Sequence, residues 1–219
     1  MIRKARLSTP RSCYARAIID ADYWARYYEV TADRPAWETV RMAIGRFADE
    51  AAPARRRFAV DLGCGAGRDA RELLRAGWSV LAVDREPGAI RALEAATSAD
   101  LRPGLQTRVA DLADVDVPPC DLVNASLSLP FLSPESFWDA WARIIAALPV
   151  GGRLAAMLFG DRDGDAGDPT MTHPSPDAIR ASLAAFEFEH WVDREEDSRT
   201  ALGEPHHFHM LELVARRIR

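Results

Sequence analysis

The 219-residue sequence has few cysteines and a single lysine, and no apolar run approaches the ~20 residues needed to cross a bilayer. Cys13, Cys64 and Cys120 form an odd and sparse set, which excludes a disulfide scaffold. Lys4 is the only lysine among 28 basic residues, so arginine supplies the rest. That excess reads as the codon bias of a GC-rich genome, and by itself it is not phosphate recognition. Also lacking is a net positive charge. The balance is −5, whereas a nucleic-acid binder shows a basic surface or stripe. Basic residues cluster only at residues 1–16 and at Arg55-Arg56-Arg57. The opening MIRKAR runs into polar LSTPRSC rather than an apolar stretch, so no signal peptide is expected and a reducing cytoplasm is the expected location. What remains is 48% hydrophobic and 28% charged, the balance of a folded globular chain rather than a disordered one.

Residues 1–20 read as a basic tail and 21–219 as one domain, with 21–57 a helical lid and 58–219 the core. In PAWETVRMAIGRFADEA, Trp37, Val40, Ile44 and Phe47 recur at spacings of three and four, which predicts one apolar helical face bounded by Pro35 and Pro53. Just before it, DYWARYYEV crowds Tyr23, Trp24, Tyr27 and Tyr28 together. From residue 58, short apolar runs alternate with helical stretches. Strands are predicted at 58–62, 78–84, 105–111, 121–129 and 152–159, and helices at 68–77, 87–97, 133–148 and 176–186. Such alternation predicts parallel strands in a doubly wound α/β sheet. The last two segments, 186–196 and 207–217, have only a short connection between them and predict an antiparallel hairpin.

The segment VDLGCGAGRDA (60–70) follows a predicted strand and opens a predicted helix, the setting of a nucleotide-binding turn. Glycine permits the tight backbone and removes the Cβ that would keep a ligand away. A dinucleotide turn needs glycine at 63, 65 and 68, but position 68 is Arg and the third glycine is Gly67. No lysine follows as in a phosphate-cradling loop. Asp84 ends the second predicted strand, where an acid can accept hydrogen bonds from ribose hydroxyls. Asp111 ends the third, with Leu112 beside it to flank a ring. Ligands of such sheets bind outside the carboxyl ends of the strands.

On these residues the chain resembles the class I S-adenosylmethionine-dependent methyltransferases. DLGCGAGRDA is similar to their first motif, Asp84 to the ribose acid and Asp111 to the adenine-contacting acid. YYEVTADR, TRVADLADV, NASLSLPFL and LELVARR further resemble the small tellurite-resistance-type group. The resemblance implies a Rossmann-like doubly wound sheet of seven strands in the order 3-2-1-4-5-7-6, the last antiparallel, under an N-terminal helical lid. It implies S-adenosyl-L-methionine as cofactor. Gly63 and Gly65 would pass under its methionine and ribose parts, and Asp61 would hold the turn. Asp84 would take the ribose with Arg85 beside the adenine, and Asp111 and Leu112 would take the adenine. Asn124, Ala125 and Ser126 would face the methionine amino group and the methyl. Tyr28, with Trp24 and Arg34, would lie over the cofactor.

The implied reaction is in-line methyl transfer to a small-molecule acceptor, with no nucleic-acid or membrane partner, by a monomer or homodimer. Two alternatives stay open: a non-catalytic cofactor-binding sensor or partner module, and an NAD-dependent oxidoreductase. Acceptor residues are expected in loops 126–134, 160–175 and 196–206. His173 lies in the second of these loops and His207 just past the third, and they are the candidate bases. No metal site is expected. His207 and His209 share a strand face without an evident third ligand, and the loop that begins at Asp161 has Ala166 and Thr172 where a calcium loop needs Gly and Glu. That loop, GDRDGDAGDP, reads as solvated and acidic.

Overall fold

The computed structural model describes residues 21–50 and 55–219. The basic tail with Cys13, and the expected helix stop at Pro53, lie outside the described residues. Runs such as FAVDL and RLAAMLF are apolar at nearly every position because both faces of their strands are covered. Seven strands form one sheet: β1 (Phe58–Leu62), β2 (Ser79–Asp84), β3 (Leu105–Val109), β4 (Leu122–Ser126), β5 (Arg153–Phe159), β6 (Phe186–Arg199) and β7 (Pro205–Arg217). Their order is β3-β2-β1-β4-β5-β7-β6. The first five pair in parallel, and β7 runs antiparallel to both β5 and β6. This is the sheet expected from the sequence.

Strand alternation divides the interior into two layers. On one face Val60 and Leu62 join Phe137, Trp141 and Ile144 of α5 (Pro134–Ala147) and Ile179 of α6 (Pro176–Ser182). On the other, Ala59 joins Val40 and Phe47 of α2 (Glu38–Ala48), Leu73 of α3 (Arg68–Arg75) and Leu93 of α4 (Pro87–Ala96). The aromatic segment forms α1 (Ala21–Thr31), whose Tyr23 packs with Met157, Phe159, Met171 and Met210 in a third cluster. Among the described residues no helix is long and apolar enough to cross a membrane.

The structure moves several expected boundaries. Helix α2 starts at Glu38, beyond Pro35, because Trp37 is held in extended backbone with φ −60° and ψ 149°. Strand β3 ends at Val109, two residues before Asp111, and β4 ends at Ser126, because Leu127 turns the chain at φ 57°. Helix α6 stops at Ser182, whose hydroxyl donates to the Ile179 carbonyl and accepts from Trp141 Nε1. The final hairpin is longer than expected. Its strands reach Arg199 and Pro205, closed by Thr200 N–H donating to the Glu204 carbonyl, with His207 bonded across to Asp197 at 2.7 Å.

The loop after β5 is solvated only in part, with Asp161 exposed but two of its acids turned inward. Asp163 and Asp165 are buried. Asp163 accepts from the His209 and Asp165 amides and pairs with His206 Nε2 at 2.9 Å, so this carboxylate ties the loop to β7. One ligand-capable atom from each of Asp163, Asp165 and His206 lies within 4.8 Å of the others. The sequence places His207 and His209 on one strand face, and nothing in it marks Asp163, Asp165 and His206 as a group.

Candidate active site

The strand order reverses between β1 and β4, and the glycine turn leaves the sheet at that point. The Gly63 and Cys64 amides both donate to the Val83 carbonyl, which folds the turn back over β2. All three glycines of the turn, Gly63, Gly65 and Gly67, are required by contact. A Cβ on Gly63, at φ 73°, would lie 2.2 Å from Ser128 Cβ. A Cβ on Gly65, at φ 52°, would lie 2.8 Å from the Tyr28 ring, so glycine lets α1 come down onto the turn.

Asp84 secures the same turn from β2. Its Oδ2 accepts from the Gly65 amide at 2.8 Å and its Oδ1 from the Glu86 amide at 2.9 Å. Each carboxylate oxygen can still accept a second hydrogen bond. Burial raises the Asp84 carboxyl above its usual range, while the two amides oppose that shift.

Beneath the turn lies a buried carboxylate pair bridged by one amide. Asp61 and Asn124 are register partners on β1 and β4, so their side chains emerge on the same face. Asn124 Nδ2 donates to Asp61 Oδ1 at 2.8 Å and to Asp69 Oδ2 at 3.0 Å. Its Oδ1 accepts from Ser126 Oγ, which fixes the amide orientation. The remaining Asp69 oxygen accepts from the Trp37 amide, and the Arg68 guanidinium sits 4.4 Å from the centre of the Trp37 ring. These contacts join the start of α2 to the first turn of α3. Asp61 Oδ2 has no hydrogen-bond partner although it is buried. Burial first, and the Asp69 charge second, push the Asp61 carboxyl up to about 8, against the Asn124 and Ala70 hydrogen bonds. Burial also raises the Cys64 thiol, which suits a packing residue rather than a nucleophile.

A cavity opens above these groups at the carboxyl ends of β1, β2 and β4. Asp61, Gly63, Gly65, Asp84 and Ser126 form its floor, and Arg85, Asp111 and Leu112 one end. Aromatic residues wall the other end. Trp24 meets Tyr23 and Phe131 edge-on, at 5.5 and 5.3 Å between ring centres, and stacks on Tyr28 at 6.0 Å; Phe159 closes that side.

Of the residues singled out from the sequence, Tyr28, Asp61, Gly63, Gly65, Asp84, Arg85, Asp111, Leu112 and Ser126 line this one cavity. Asn124 lies behind Asp61. Ala125, its neighbour, points into the opposite core layer. Arg34 is exposed and outside the lining, although its charge reaches Tyr27. His173 is also outside the lining, its ring 6.3 Å from that of Phe159. Burial lowers its pKa, and its Nε2 has no hydrogen-bond partner. His207 lies on the far hairpin between Asp197 and Glu195, which raise its pKa.

The sequence reading missed Asp69, Ser128, Leu127 and Phe131. An acid in the first helical turn after three glycines was the available signal for Asp69. Nothing local marked Leu127, whose left-handed backbone is a strained conformation for a side-chain-bearing residue at a cavity wall.

Residues 59–152 match the model of a family described as a methyltransferase domain. In this stretch, which holds the glycine turn and strands β2 to β4, the chain is similar to methyltransferase domains. Solved structures agree over more of its length. TehB from Haemophilus influenzae is 18% identical over 90% of this chain, with a TM-score of 0.68, and the chain spans 66% of that protein. A TehB-like SAM-dependent methyltransferase from Corynebacterium glutamicum is 22% identical, covering 90% of this chain and 96% of that one, with a TM-score of 0.60. Magnesium protoporphyrin IX methyltransferase from Synechocystis, solved with bound SAM, is 17% identical, covering 92% and 94%, with a TM-score of 0.66. At these identities the likeness is one of fold. A search of curated proteins finds no match.

Proposed function

We propose that this methyltransferase domain binds S-adenosyl-L-methionine across the glycine turn and transfers its methyl group to a small, largely apolar acceptor. The observation that carries this reading is Asp61 Oδ2, a buried acceptor without a partner on the cavity floor beside Gly63 and Gly65. A buried carboxylate oxygen calls for a cationic donor, and the α-ammonium of the cofactor is one. The residues present fit the rest of the molecule. Asp84 has unused lone pairs for the ribose, and Leu112, Arg85 and Asp111 would flank and address the adenine.

The bound cofactor supplies a methyl group on a sulfonium, whose departure leaves a neutral thioether. The chain's own work is then to bind, orient and exclude water. The Asp61–Asn124–Asp69 group and Asp84 orient one reactant. The aromatic wall of Tyr23, Trp24, Phe131 and Phe159 confines the other and favours a sulfonium by cation–π attraction. Holding both partners in line is worth ~7–11 kcal/mol of barrier. A base adds about 10²–10⁴-fold and helps only an acceptor that must lose a proton. For that role His173, stacked behind Phe159, is better placed than His207, which is engaged on the distant hairpin.

In this reading α1 and α2 form a lid, anchored by Trp37 on Asp69 and Arg68 and laid on Gly65 through Tyr28. The charge of −5 favours a small-molecule partner over a nucleic acid, and a cytoplasmic setting suits the cofactor. Calorimetric titration with S-adenosylhomocysteine, with NAD as control, tests the cofactor. Binding of the former alone is expected. Binding of NAD alone would replace this reading with that of an oxidoreductase.

A further inference from the structure

Asp61 and Asp69 are two buried carboxylates that share the two hydrogens of a single amide nitrogen, Asn124 Nδ2. Asp69 is otherwise served: its Oδ1 takes the Trp37 amide, and Arg68 Nε lies 3.8 Å from the same oxygen. Asp61 is served less: beyond Asn124 only the Ala70 amide supports its carboxyl, and its Oδ2 is buried and unpartnered. The groups that face it from the surrounding elements are Asp69 on α3, Asp84 on β2, Cys64 in the turn and neutral Asn124 on β4. No cation stands against Oδ2 among the described residues. Arg68 is the one cation at the pair among the described residues and it stands against Asp69 alone, so in this low-dielectric setting a second charge on Asp61 is not sustained and Asp61 keeps its proton. The carboxyl with no cation beside it, and with only the Ala70 amide to support it beyond Asn124, is Asp61.

We infer that Asp61 exchanges a proton for the ligand's ammonium group: it is a neutral acid in the free protein and becomes a carboxylate, releasing one proton to solvent, when an α-amino nucleoside is seated against Oδ2. The inference rests on the cofactor reading above and deepens it. The exchange balances: Asp61–COOH and R–NH₃⁺ give the ion pair and one free H⁺, with no bond to carbon changed. Asp69 is then a positioning residue whose charge keeps the proton on Asp61 until the cation arrives. The protein thereby discriminates an amino-acid-bearing nucleoside from its truncated form by a pH-dependent step.

The experiment is calorimetric titration of the full chain in two buffers of different ionisation enthalpy at about pH 6.5, where the ligand's amine is charged. The probes are S-adenosylhomocysteine and 5′-methylthioadenosine, which keeps the nucleoside and sulfur but lacks the amine. The expected result is about one proton released per S-adenosylhomocysteine bound and none for methylthioadenosine. The affinity of the former should rise ~tenfold per pH unit from about pH 6 to 7.5, with that of the latter flat. Binding of S-adenosylhomocysteine with no proton release, or equal release with both probes, overturns the inference and leaves the cofactor reading standing. Failure of both to bind overturns the cofactor reading and the inference with it.

Infrared difference spectra of the unaltered protein give a second readout that needs no variant. The carbonyl band of a protonated carboxyl should be lost when S-adenosylhomocysteine is added; its persistence contradicts the exchange. In Asp61→Asn, binding should release no proton, and the pH dependence should flatten.

Discussion

Replacing Asp84 with alanine probes both the glycine turn and the proposed ribose contact, and the geometry separates the two effects. The substitution removes the acceptor for the Gly65 amide at 2.8 Å and for the Glu86 amide at 2.9 Å. Hydrogen bonds to a charged group are worth ~1.5–3 kcal/mol each. The two losses are unequal. Glu86 is half-exposed and its amide can turn to water, whereas Gly65 is buried and its amide is left unsatisfied. Removing a carboxyl that burial disfavours returns part of the cost. The net loss of stability should be about 2 kcal/mol, read as a lower midpoint in urea unfolding with unchanged slope. The spare lone pairs of Asp84 go as well. Affinity for S-adenosylhomocysteine, measured on the folded fraction, should fall a further ~10–100-fold, the equivalent of one hydrogen bond to a charged group. Asp84→Asn, which keeps one acceptor oxygen, should fall between. An unchanged midpoint would refute the turn argument. A lowered midpoint with unchanged affinity would refute the ribose contact alone.

Three further outcomes follow from the same structure. Gly67→Ala places a Cβ 2.1 Å from Leu93 Cδ1 at φ 82°, so it combines the ~1–2 kcal/mol cost of left-handed backbone with a clash against a core residue; a loss of about 3 kcal/mol in denaturant unfolding is expected, and a loss under about 1 would contradict the packing. Because the folded Asp61 carboxyl is raised to about 8, the native state holds a proton that the unfolded chain has already lost. This contribution is therefore complete below the unfolded pKa near 4 and declines as pH rises towards 8, by at most about 1.4 kcal/mol per pH unit, and Asp61→Asn should remove that slope in ligand-free melts. His207→Gln alters an exposed ring on the far hairpin and should leave both S-adenosylhomocysteine affinity and methyl-transfer rate unchanged; a large fall in rate would return His207 to the reaction.

What could be read from the sequence was what is local. The turn from Asp61 to Gly67 is contiguous, and its glycines announce left-handed backbone wherever they sit. Asp84 was legible because a strand of apolar residues ends on an acid, and the parallel sheet with its closing hairpin because helices and strands alternate until the last two strands; the strand order came from the family resemblance. The carboxylate pair was not legible, because it exists only through register: Asn124 opposes Asp61 across β1 and β4, and α3 then brings Asp69 to the same amide. Alternation would have separated Ala125 from Asn124, but the resemblance grouped them, and the structure puts Ala125 in the other layer. The histidines show the same limit. His207 and His209 share a strand face, yet one is at the exposed hairpin and the other is fully buried under the 160–175 loop, where its Nδ1 accepts from the Arg162 amide. Nothing in the alternation of β7 says where a loop from β5 will cross it.

The most direct test of the account is a crystal structure of the full chain with S-adenosylhomocysteine. The ligand should lie along Gly63–Gly65, with its ammonium against Asp61 Oδ2, its ribose hydroxyls on Asp84 and its adenine between Arg85 and Leu112. Density that fills the same cavity with the amino-acid moiety turned away from Asp61, or that lies outside the cavity, would contradict the central claim.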